Sequence, residues 1–200
     1  MADFLDKIGL GKLNNALLYG LVIAIVLAIL TRGLTLDYGW WTFFFRWLHV
    51  ASGVMWIGLL WYFNFVQIQV MPSIPAELKP AVGKHIAPAA LFWFRWAALS
   101  TLLTGLILAH LNGYLLDALM LNGLEGGRPM AIGIGMWLGI IMAYNVWMII
   151  WPNQQRALGL VDATADEKAR SAKIAMLASR VNTMLSIPML YFMVAAQNIF

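Results

Sequence analysis

His49 and His110 are the two residues of this chain best suited to hold a metal or a haem iron. They fall near the same end of two adjoining apolar segments, so antiparallel helices would bring both imidazoles to one depth in a membrane. Ionisable side chains in hydrocarbon are costly and mostly serve function. The chain has no Cys, which excludes disulfides, thiolate zinc sites, iron–sulfur clusters and covalent c-type haem. A b-type haem needs two axial ligands, small residues to admit the ring, and cations for its propionates. Gly53 and Gly105 would leave the room, and Arg46, one turn before His49, would meet a propionate. Gly53 and Trp56 follow His49 at the fourth and seventh positions, so all three share one helix face. The pair reads as a haem b site, as a site for another metal, or as two imidazoles each bonded to a backbone carbonyl or headgroup. His85 lies in a loop and is given no role.

A second constellation contains Arg95 and Arg180, each about two turns into an apolar segment, with Asn145 and Asn182 at comparable depth. No Asp or Glu falls within these segments, so neither cation has an intramembrane carboxylate. Such a set suits an anion or the carbonyls of a quinone head; the alternative is snorkelling of both Arg side chains to phosphates. The same lack of carboxylates argues against a proton pump, and against catalysis by paired acids or an activated nucleophile in this chain alone.

The elements that must position these residues are membrane helices. The sequence is 62% hydrophobic and 11% charged, with ten Trp and twelve Met, more apolar surface than a soluble domain of this size can hide. About twenty apolar residues cross a bilayer as a helix. Five stretches qualify, 15–36, 42–71, 86–111, 130–151 and 174–196, within a single domain covering 1–200. Pro72 and Pro75 end the second, Pro129 opens the fourth, Pro152 closes it, and Pro188 is expected to kink the fifth. Stripes of small residues, Thr101/Gly105/Ala109 and Gly135/Gly139/Ala143, are expected to be helix contacts. Residues 162–173 form the one plainly soluble piece. Lys and Arg concentrate in the loops on the side of Lys7, Lys79, Arg156 and Lys173, which puts the N-terminus in the cytoplasm and the C-terminus outside. No small-residue cleavage site follows the first apolar run, so it reads as an anchor. The net charge of +4 is spread over loops and span ends and does not indicate nucleic acid. The expected fold is therefore an all-α integral membrane protein, a bundle of five transmembrane helices.

Several strings are similar to one family. Arg46-Trp47-Leu48-His49 with Trp56-Ile57-Gly58, Trp93-Phe94-Arg95-Trp96 with Thr104-Gly105, Asn145-Val146-Trp147 running into Trp151-Pro152-Asn153-Gln154-Gln155, and Asn182-Thr183 with Ser186-Ile187-Pro188 resemble the bacterial membrane-bound urate oxidase N-terminal domain. The resemblance touches the second to fifth spans, and His49 carries over directly, whereas His110 comes from geometry alone. Full-length members are longer and often end in a cytochrome c domain, so this chain looks like a short form without one. The family pattern places a His before the Asn-Thr pair, where this chain has Val181.

Three functions follow as expectations. One is a membrane subunit of a redox or respiratory-type complex, with haem b held by His49 and His110 and electrons exchanged with a quinone or cytochrome c. Another is a non-catalytic structural subunit, packed against other membrane subunits or further copies of itself. The third, implied by the resemblance, is a urate oxidase-like membrane enzyme domain with Arg95 and Arg180 as its anion site. Whether the chain is itself an enzyme is left open. The expected location is the bacterial inner membrane.

Overall fold

A computed structural model describes residues 1–122 and 127–200. Among the described residues the chain is helical, with no strand. Four helices are long and apolar enough to cross a membrane: α1, Leu13–Leu30; α2, Tyr38–Ser73; α3, Lys79–Leu111; and α4, Arg128–Ala157. The fifth, α5, is Ala165–Asn198. Ser179, Arg180, Asn182, Thr183 and Ser186 dilute its apolar content, and it does not reach the hydropathy of the other four. Contacts divide the chain into two units, Met1–Phe44 and Phe45–Phe200. All the residues discussed as a site belong to the second.

The helix boundaries show how local chemistry overrides an apolar run. α1 stops at Leu30 rather than 36 because Arg32 adopts a left-handed φ of 57°. Its N–H reaches the Ile29 carbonyl at 3.0 Å while that of Gly33 reaches Ala28 at 2.7 Å, closing the helix end in a Schellman motif. α5 starts at Ala165 rather than 174, so most of the piece expected to be soluble forms its first turns. The reason is a capping box: the Glu167 N–H donates to Thr164 Oγ1, and Glu167 Oε2 accepts from the Thr164 N–H. Pro188 lies inside α5, which runs as helix to Asn198. A short helix at Leu115–Leu119, in the segment after α3, carries no apolar run long enough to announce it.

π-helical turns at Tyr62–Gln67 in α2 and Asn145–Ile150 in α4 each place an Asn among the helices. The core forms from α2 to α5 around Trp56, Leu60, Phe94, Met142 and Val146. Gly135, Gly139 and Ala143 are buried on α4, as are Thr101 and Ala109 on α3, so the small stripes are turned into the bundle. α5 lays its own buried line, Ala175, Ser179, Asn182, Ser186 and Met189, into the bundle at helical spacing.

Candidate functional site

Near the end of α2 that begins at Tyr38, a cavity of about 650 Å³ opens between α2, α3, α4 and α5. Its walls are mainly apolar, with Ile57 of α2, Leu108 of α3, Met136 of α4, and Met189 and Met193 of α5. Polar or amphipathic side chains also line it, among them Arg46, His49, Trp56, Tyr114, Gln197 and Asn198. On α2 the residues Arg46, His49, Gly53 and Trp56 fall at steps of three and four, one stripe looking into the cavity, as the spacing requires. An adjoining void of about 50 Å³ shares His49, Trp56, Thr101 and Gly105 and reaches Gly139 and Ile140.

His49 is held against α3. Its Nδ1 lies 2.9 Å from the Thr101 carbonyl. A carbonyl only accepts, so Nδ1 carries the proton, and in the neutral ring Nε2 is left with a lone pair. Gly105 makes this approach possible: a Cβ there would stand 2.8 Å from Cε1 and 3.0 Å from Nδ1 of the ring. The carbonyl bond foreseen as the plainest role of a His is thus real for His49. It also orients the ring as a second partner orients a metal-ligating imidazole.

Arg46 and Trp56 supply donors. Arg46 Nη1 donates to Gln197 Oε1 at 3.4 Å, while its Nε is buried and finds no partner among the described residues. Trp56 is 2% exposed, and its indole N–H likewise finds none. A buried donor without a partner costs roughly 1–3 kcal/mol, so these groups favour any ligand that offers acceptors.

Tyr114 reaches the cavity through a second Schellman motif. Gly113 takes φ 76°, its N–H bonding to His110 at 2.9 Å, and the Tyr114 N–H returns to the Ala109 carbonyl at 3.2 Å. That turn folds Tyr114 back over the bundle. Sequence reasoning missed Tyr114, Gln197 and the open N–H of Trp56; the Gly-Tyr pair just past a helix end was the available signal for the first.

His110 does not join His49. It lies nine residues beyond Thr101 on α3, about 180° around the helix, is exposed, and lines neither cavity. Arg46, Gly53 and Gly105 do gather with His49, so four of the five residues expected around a haem meet and the second axial ligand faces away. A haem b ligated by both His does not fit this arrangement.

The constellation of Arg95, Arg180, Asn145 and Asn182 does not assemble as a binding site either. Arg95 lies over the Trp151 ring at 3.3 Å and beside Trp147 at 5.5 Å, with Nε donating to the Leu91 carbonyl. Asn145 Nδ2 donates to Asn182 Oδ1, and Asn182 Nδ2 to the Met142 carbonyl, each at 2.9 Å. Asn182 is fully buried, while Arg180, about 200° away around α5, is exposed.

Residues 114–198 match the urate oxidase N-terminal family. The strings at 145–155 and 182–188 lie within the match; those at 46–58 and 93–105 lie before it. In the matched segment sit Tyr114, Met136, Met189, Met193 and Gln197, one side of the cavity. The other side, with Arg46, His49 and Trp56, comes from α2. No curated protein and no solved structure matches the chain.

Proposed function

We propose that the chain is the membrane subunit of a redox complex and that the cavity beside His49 is the seat of its redox-active ligand. The observation that carries this reading is a cavity of about 650 Å³ with apolar walls and a few convergent polar groups, the form of a cofactor or small-molecule site. His49 Nε2, turned into service by the Thr101 carbonyl, is the natural acceptor or ligand toward that group. All five helices cross the bilayer in this reading. α5 does so through 174–196, where its polar side chains Ser179, Asn182 and Ser186 are turned into the bundle. The basic loops keep the N-terminus in the cytoplasm of a bacterium, and the cavity then lies toward the outer face.

A dithionite-reduced minus oxidised spectrum of natively purified protein, with extraction of bound small molecules, tests the reading. A redox-active group that is retained by the wild type and lost from His49→Ala supports it. Protein that carries no such group, and binds none on reconstitution, overturns it. The family match favours a second reading, an enzyme domain acting on urate. Urate is polar throughout and water-borne, whereas hydrogen-bonding groups occupy only part of these walls. Saturable binding of urate abolished in Arg46→Gln would put that reading first.

A further inference from the structure

We infer that the ligand of this cavity is lipid-borne and carries two carbonyl oxygens on a small ring, the chemistry of a quinone. The inference rests on the cavity being a ligand seat and adds where the ligand comes from and which atoms recognise it. Three valines at the cavity wall face outward: Val50 is 57% exposed, Val54 70% and Val194 63%. They lie on α2 and α5, and the α2 side of the wall also includes Gly53 and Gly58, which carry no side chain. In a bundle of membrane helices such a face meets hydrocarbon, so the opening admits solutes dissolved in the bilayer.

The interior then selects among lipid-borne molecules. Two buried N–H groups, Trp56 Nε1 and Arg46 Nε, have no partner among the described residues and ask for two acceptors. His49 Nε2, with Nδ1 committed to Thr101, offers one acceptor in return. A quinone presents two carbonyl acceptors to such donors, and its quinol presents hydroxyls that accept from them and also donate to His49 Nε2. Apolar Met136, Met189 and Met193 face the ring and the start of its tail with soft, adaptable surface. A phospholipid or fatty acid offers acceptor oxygens too, but nothing ring-shaped to fill the width of the cavity.

The test uses the full chain in nanodiscs of defined, quinone-free lipid, titrated with decylubiquinone and assayed by quinone retained per protein. Saturable binding near one per chain is expected, weakened at least tenfold in both Trp56→Phe and Arg46→Gln and unchanged in Arg180→Gln. Arg46→Gln is the variant that decides if Trp56→Phe fails to fold. Non-saturable uptake, or equal binding by wild type and the correctly folded variants, overturns the inference. So does displacement by oleate or phospholipid at the concentrations that displace quinone, which identifies an ordinary lipid as the occupant. The reduced-minus-oxidised spectrum of the same samples separates the two levels. A His49-dependent signal from another redox group retains the redox reading and removes the quinone; absence of any bound redox group removes both.

Discussion

Two groups of buried polar side chains lie in this bundle, and they differ in what they face. Around the π-helical turns, Asn145 and Asn182 bond to each other and to the Met142 carbonyl, and Asn64 Nδ2 donates to the Leu60 carbonyl and to Ser179 Oγ. They lie where helices touch, and most of their donors are spent on protein. Around His49, Arg46 and Trp56 line open space, and each holds a buried N–H with no partner among the described residues. The first arrangement ties helices together; the second keeps hydrogen-bonding capacity in reserve for something else. Polar residues at membrane depth therefore identify a site only when the room beside them is counted as well.

The strongest way to break this comparison is Asn182→Leu. It leaves Asn145 Nδ2 and the Met142 carbonyl without their partner, and a loss of about 1–3 kcal/mol in unfolding free energy is expected. Thermal or denaturant unfolding in detergent measures it, and quinone retention by the folded fraction should not change. Were ligand binding to fall while stability held, the amide layer would be a site after all. Next comes Gly105→Ala, whose methyl needs the position His49 now occupies. Displacing the ring should weaken binding of the reduced form, decylubiquinol, about tenfold, equal to about 1.4 kcal/mol. Unchanged affinity would mean that His49 does not touch the ligand.

A smaller effect is expected at the start of α5, outside the apolar span. Hydrogen bonds from the Thr164 backbone N–H, and then its hydroxyl, hold the Glu167 carboxyl below the usual glutamate range. A pKa depressed in the folded state stabilises this helix end above the unfolded value, about 4.3, and the contribution is lost as pH falls through the folded value. Amide-exchange protection at 165–168 should therefore drop below that range in the wild type, and lose this pH dependence in Glu167→Gln. The smallest effect is none: His110→Ala should alter neither the redox spectrum nor quinone binding. A signal lost in both His49→Ala and His110→Ala would restore the bis-His haem and refute the helix phase described for α3.

Apolar runs announced α1 to α4, and spacing placed His49, Gly53 and Trp56 on one face, with Arg46 one turn before His49. What the pattern could not carry was phase between helices. His49 and His110 share a depth, yet a half-turn of α3 separates His110 from Thr101, and depth is all that hydropathy reports. Likewise Arg95 and Asn182 looked alike as intramembrane polar residues. Their partners, Trp151 for one and Met142 for the other, depend on tertiary contacts that no spacing specifies. The end of α1 turned on a left-handed Arg32, a conformation for which Gly is the usual signal.

The outward-facing valines of the cavity wall have a consequence for occupancy. A seat that opens into hydrocarbon equilibrates with the bilayer, so the variable that fills it is mole fraction in lipid rather than molarity in buffer. Diluting such a sample with water leaves the seat as full as before. Diluting it with lipid or detergent empties it.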